Sequence, residues 1–304
     1  LHPRVRRQRQ MCIRDRNKGV EYNPQVDLLP LLADVSFDEY DAHTTYDAQT
    51  ASENAEEQPE AVEKPTLVAL AAETAGVDAE TILGEDLFLY TRQEGKMIGA
   101  KGEFVLSPRL DDLQSAFALT KAFTESTPAE YINVCAVFDN EEVGSGTRQG
   151  AASTFLRDTL LRINLGLGRS YEDYLISLAK SFMISADNAH ALHPNYTDKA
   201  DPVNRPVMNG GIVIKYNANQ KYCTDGISTA IFKELCREAD VPYQTFVNRS
   251  DIAGGSTLGN ISNTQAAINT VDIGLPQLAM HSAYETAGVK DTESLIRAAK
   301  VFYR

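Results

Sequence analysis

The chain has 304 residues, enough to bury a sizeable core in one or two domains. Apolar residues make up 43% and charged residues 23%, the balance of a soluble globular protein, and no run is long and apolar enough to span a bilayer. The net charge of −13 speaks against a nucleic-acid-binding surface, so neither nucleic acid nor membrane is an expected partner.

Along the chain, Arg4, Arg6, Arg7, Arg9, Arg14 and Arg16 crowd the first sixteen residues of an otherwise acidic protein. No apolar segment follows them, so they do not form a secretory signal. The chain starts without Met and its composition changes after Arg16. Residues 1–16 are therefore expected to be a basic leader foreign to the fold, with a nucleic-acid-binding arm as the alternative. Residues 34–63 are acidic, rich in small residues and free of lysine and arginine. A mobile loop or insertion is expected there, with His43 solvated inside it. Cys12, Cys135, Cys223 and Cys236 lack CxxC spacing, which points to reduced thiols in a cytoplasmic protein.

Beyond Lys64 the pattern becomes structured. A helix is predicted over 66–75, a strand over 86–91, turns over 95–102 and a strand over 103–106. Pro108 introduces a helix over 110–126. Then come a buried-type strand at 131–138, helices at 147–163 and 171–181, and strands at 182–185 and 212–216. A helix at 226–239, a strand at 243–247, a helix at 256–269, a strand at 271–274 and a helix at 291–302 complete the series. The alternation implies an α/β domain with a mixed, largely parallel sheet flanked by helices on both faces.

Ligands of such domains collect in the loops after strands. Asp111 and Asp112 lie in SPRLDDL, Glu141 and Glu142 in VFDNEEVGS, Asp187, His190 and His193 in SADNAHALHPN, and His281 after PQLAM. Three of the five histidines of the chain fall in these loops. Singly, Asp111 reads as a helix N-terminal acid, Asp187 as a loop cap and His281 as a satisfied polar residue. Together they suggest a carboxylate-rich centre for zinc, manganese or cobalt. Two ions about 3.5–4 Å apart need a shared carboxylate, and a further uncoordinated one to take a proton from water. Adjacent side chains at a strand end point apart, so one glutamate can bind metal while its neighbour faces the water.

The segments NKGVEYNPQVDLLPLL, EFVLSPRLDDL, VFDNEEVGSGTRQGA, ISADNAHALHPNY, GGIVIKYNANQKYCTDG, FVNRSDIAGGSTLGNIS and VDIGLPQLAMHSAYETAG, in this order, resemble the aspartyl aminopeptidase family of dinuclear metallopeptidases, which includes the vacuolar aminopeptidase. The resemblance implies a zinc-exopeptidase type of fold and removal of N-terminal residues, acidic ones (Asp or Glu) foremost, by a water activated between two zinc ions. It puts the bridging ligand on Asp111, terminal ligands on Glu142, Asp187 and His281, and the general base on Glu141. Lys215 and Tyr222 fall on the substrate-binding strand, with Lys215 pairing an acidic group of the peptide. Gly254 and Gly255 lie in a loop lining the same pocket, and His190 and His193 shape the site and subunit contacts. Homo-oligomers are implied.

Two family features have no match: a histidine ligand in a His-x-Asp motif, and a histidine that the inserted assembly domain sends into a neighbouring subunit. Residues 17–106 are accordingly expected to be the remnant of a β-rich assembly domain, and 107–304 a catalytic domain incomplete on its N-terminal side. An inactive truncated chain or assembly-only subunit, an aminopeptidase with neutral preference, and an N-acyl amino acid deacylase are the alternatives.

Overall fold

The computed structural model describes residues 23, 25, 67–127, 130–252 and 254–304. The leader, Cys12 and the acidic stretch with His43 lie outside the described residues. The chain divides into two compact units, Leu1–Phe88 and Leu89–Arg304. Described in the first are helix α1 (Leu67–Ala75), which buries Ala72, and a single 3₁₀ turn at Ala79–Thr81. Residues 86–91 form no strand: Leu87, Phe88, Leu89 and Tyr90 are exposed, with no paired neighbour among the described residues to satisfy an extended backbone.

The second unit holds strands β1 (Lys96–Ile98) and β2 (Phe104–Ser107), then helices α2 (Leu110–Glu125), α3 (Phe155–Gly166) and α4 (Tyr171–Lys180). There follow β3 (Phe182–Ala186), β4 (Ala189–His190), β5 (Ile212–Tyr216), α5 (Gly226–Glu238), β6 (Tyr243–Val247) and α6 (Leu258–Ser262). The chain closes with β7 (Asn269–Gly274), β8 (Pro276–Leu278), β9 (Glu285–Gly288) and α7 (Val289–Phe302). Helices α4 and α5 begin at capping boxes. In α5 the Asp225 carboxylate accepts from Ser228 N at 2.8 Å while Ser228 Oγ accepts from Asp225 N at 2.9 Å.

One sheet runs β3-β7-β5-β6, with β3–β7 and β5–β6 parallel and β5–β7 antiparallel. The other runs β1-β2-β9-β8-β4, antiparallel except for β8–β4. Strands β1 and β2, at the end of segment 17–106, thus pair into the sheet of the second unit. Alternation along the strands sorts the two faces of the first sheet. Ala186, Ile212, Ile214, Val271 and Ile273 join Ala118 and Ala122 of α2, Phe232 and Cys236 of α5, and Leu295, Ile296 and Ala299 of α7 in one buried core. Burying a side chain the size of Phe232 or Leu295 contributes about 1.5–3 kcal/mol. The intervening residues Ser185, Lys215 and Asp272 face the other way and are also buried. That polar face underlies the candidate site.

Three further predicted elements differ. Residues 131–138 have the apolar pattern of a buried strand, yet among the described residues no strand pairs with them, and Tyr131, Ile132, Val134 and Val137 stay exposed. The helix predicted over 147–163 starts at Phe155, because residues 141–154 turn on themselves through Gly144 N–Glu141 O and Ala152 N–Ser145 O bonds. The one predicted over 256–269 shrinks to α6: the Asn263 side chain accepts from Ile268 N at 3.1 Å and turns the chain into β7. No helix among the described residues is long and apolar enough to cross a membrane, and Cys135, Cys223 and Cys236 are free thiols.

Asp291, fully buried in the first turn of α7, anchors the loop before β5 by accepting from Asn209 N at 2.6 Å and Gly211 N at 2.9 Å. Gly211 sits at φ +98, where a Cβ would lie 2.1 Å from the Pro242 carbonyl oxygen. Asp291→Ala leaves two backbone donors without an acceptor, at about 1–3 kcal/mol each. A lowered thermal midpoint at pH 7 is expected; an unchanged midpoint contradicts this account of the loop.

Candidate metal centre

Asp111 and Asp112 occupy the first turn of α2 with non-helical angles, behind Arg109 at φ 57. Glu141 and Glu142 sit in the turn held by Asp139 N and Asn140 N on the Gln149 carbonyl. Asp187 follows β3, its N–H bonded to Ile273 O at 3.1 Å. Only glycine fits opposite it: a Cβ on Gly274 would lie 2.0 Å from Asp187 O. His281 follows β8 at φ 64. Asn188, 2% exposed, ties these loops together: its Nδ2 donates to Leu110 O at 3.0 Å and Gln277 Oε1 at 2.8 Å, and its Oδ1 accepts from Ser115 Oγ.

The side-chain heads converge. His281 Nε2 lies 3.0 Å from Glu142 Oε1 and 3.3 Å from Asp111 Oδ2. Asp111, Glu142 and His281 offer ligand atoms all within 4.8 Å of one another, and so do Asp111, Asp112 and Asp187. Asp111 is common to both groups, and among the described residues His281 is the only imidazole in either.

Lys215 offsets this concentration of anions only in part. Burial pushes the Asp111 carboxyl up to about 8, helped by the charges of Asp187 and Glu142. Burial, then Asp187, raises Asp112 well above the carboxylate range, and burial, Asp187 and Glu142 raise Glu141. Among the described residues, Asp111 Oδ1 and Asp112 Oδ1 are buried without a hydrogen-bond partner. Hard oxygen donors with one imidazole, two of those oxygens orphaned, fit a divalent cation such as zinc. A cation reverses the local electrostatics by favouring the ionised carboxylates. Since Asp111 must lose its proton to bind, cation affinity should rise from pH 6 to 8, by up to about tenfold per unit, and level off above. Competition titrations with cobalt(II) check this; a flat profile contradicts it.

All the site residues read from the sequence line one cavity of about 620 Å³: Asp111, Glu141, Glu142, Asp187 and His281, with His190, His193, Lys215, Tyr222, Gly254 and Gly255. His190 is exposed and leans on Phe246, and the His193 ring lies 4.8 Å from that of Tyr196. Lys215, 3% exposed, bonds Asp187 Oδ2 at 3.1 Å, and its ammonium lies 5.6 Å from the centre of the Tyr222 ring. Burial works against that ammonium, but Asp187, Tyr222 and Asp272 outweigh it and raise its pKa. Sequence reasoning gave no role to Asp112 or Asn188. The Asp111-Asp112 doublet was a visible signal for the first; nothing in the chain pattern marks the second.

The geometry is matched by kinship. A model of the aminopeptidase I zinc metalloprotease family (M18) matches residues 12–303. The chain belongs to the M18 family. A probable M18 family aminopeptidase 2 from Clostridium acetobutylicum is 45% identical over 290 residues, and one from Stutzerimonas stutzeri 39% over 295. Each alignment covers 95% of this chain and 62% of the relative, so the chain spans less than two thirds of the length of these M18 proteins. Among solved structures, a cryo-EM structure of the Ape4 and Nbr1 complex superposes with a TM-score of 0.80 at 33% identity, covering 97% of this chain and 56% of that one. Yeast aminopeptidase 1 (Ape1) superposes at 0.69 and 30% identity, covering 78% and 55%. The mixed α/β architecture with helix-flanked sheets is thus that of M18 enzymes.

Proposed function

We propose that this chain carries the metal centre and substrate pocket of a two-zinc aminopeptidase that removes N-terminal residues, acidic ones foremost, from peptides. One observation carries the reading: two groups of ligand atoms, each within 4.8 Å, share the single residue Asp111. Asp111, Glu142 and His281 would hold one ion. Asp111 and Asp187 would hold the second, with Asp112 within reach of it. When bound, such ions polarise the scissile carbonyl and make water a nucleophile near neutral pH.

The protein groups do the rest. Glu141 belongs to neither ligand group but lines the same cavity. Burial lifts its pKa, which suits a base that takes a proton from the attacking water and delivers it to the leaving amine. Tyr222 and Phe246 wall the pocket, and Gly254 and Gly255 leave room for a peptide backbone. The Lys215 ammonium is the buried cation among these wall residues and would pair an acidic side chain or carboxylate of the substrate. Because Asp187 engages it in the structure, substrate binding requires Lys215 to share or exchange that partner. A homo-oligomer is also proposed, supported by a related yeast mApe1 whose structure is a dodecamer.

Lys215→Ala should raise KM for peptides beginning with Asp or Glu more than for those beginning with Ala or Leu. Equal effects on both classes defeat the acidic preference. A second reading, in which this chain binds metal without turning peptides over, is favoured by the all-carboxylate second group. Tight zinc binding with no hydrolysis of any peptide in the panel selects it.

A further inference from the structure

Glu285 opens β9 and is 2% exposed. Both of its carboxylate oxygens are occupied by the main chains of two proposed ligands. Oε2 accepts from the backbone N–H of Asp111 at 2.9 Å, and Oε1 from that of His281 at 2.7 Å. Asp111 and Glu285 are 174 positions apart in the chain, so this is a tertiary link and not a local turn. The backbone it grips is of a kind that does not hold itself in place. His281 has φ 64, Ala279 φ 58, and Arg109, two residues before Asp111, φ 57, all in the left-handed region that side chains other than glycine rarely adopt. Arg109 makes no side-chain bond to cap α2.

We infer that Glu285 is a positioning residue of the metal centre, a clamp that sets the separation of the Asp111 and His281 heads before a cation arrives. This rests on the proposed metal-binding reading. A carboxylate that accepts two N–H groups forms charge-assisted bonds, stronger and shorter than neutral ones. Because both bonds end on one rigid group, movement of either loop strains the other. The consequence is at the ligands: the two gripped backbones carry the His281 Nε2 and Asp111 Oδ2 atoms that lie 3.3 Å apart. Groups of this kind, which orient ligands without touching the ion, typically contribute 10–100-fold to metal affinity.

The test is Glu285→Gln, which keeps the size and one acceptor but turns an NH₂ toward the other N–H, with Glu285→Asp as a second variant that is too short to reach both. Three readouts are taken: zinc affinity by chelator competition, the visible spectrum of the cobalt(II)-loaded protein, and amide hydrogen exchange at Asp111 and His281 in the metal-free protein. Affinity is expected to fall about 10–100-fold with an altered cobalt spectrum; the thermal midpoint of the metal-free protein also falls, because one buried amide loses its acceptor. The two amides should exchange faster. Zinc affinity within twofold of the parent and an unchanged spectrum overturn the clamp, as does unaltered exchange. A merely structural glutamate would lower the midpoint and leave the affinity of the folded molecules intact, which also overturns it. If the parent itself binds no zinc, the metal reading fails, and the exchange rates alone decide whether Glu285 holds the two loops.

Discussion

Glu141→Gln is expected to lower kcat by about 10²–10⁴-fold while both zinc ions stay bound. The substitution preserves shape and removes only the ability to accept a proton. Glu141 stands outside both groups of ligand atoms, so metal content should not change. Its half-buried position beside Asp187 and Glu142 raises its pKa, which brings its proton affinity closer to the working pH. The paired result is what discriminates. A loss of turnover together with loss of zinc would make Glu141 a ligand; unchanged turnover would remove it as the base. The assay belongs in the chain extended to the length of its M18 relatives, of which it spans 62%.

Asp111→Asn should abolish binding of both ions, whereas Asp187→Asn should spare one. The asymmetry follows from geometry. Asp111 is the single residue common to both groups, its side chain is 3% exposed, and its Oδ1 has no protein partner. Asp187 belongs to the second group only. Zinc per chain measured by elemental analysis should therefore fall from two to near zero in the first variant and to one in the second. Equal losses in both would mean that Asp111 does not bridge.

Much of this was legible in the chain, for identifiable reasons. Strands β5 and β6 emerge with their predicted bounds because each is a short β-rich run closed by polar residues. Helices α2, α5 and α7 were legible because their apolar faces repeat at helical spacing and pack into one core. The proposed ligands stood out as acids and histidines placed after apolar runs, and the cavity gathers them. What stayed hidden depends on partners far along the chain. Residues 131–138 have a strand pattern, but a strand is made by its neighbour, and none pairs with it among the described residues. Strands β4, β8 and β9 are two to four residues long, too short for a period to show. Glu285 and Asn188 owe their importance to hydrogen bonds across 174 and 78 positions, which no local pattern encodes.

The convergence of Asp111, Glu142, Asp187 and His281 on a pair of cations is tested most directly by anomalous X-ray scattering at the zinc edge from crystals grown with zinc. Two peaks about 3.5–4 Å apart are predicted, with Asp111 between them, Glu142 and His281 on one and Asp187 on the other. A single peak, or zinc bound elsewhere with these side chains unligated, would contradict the account.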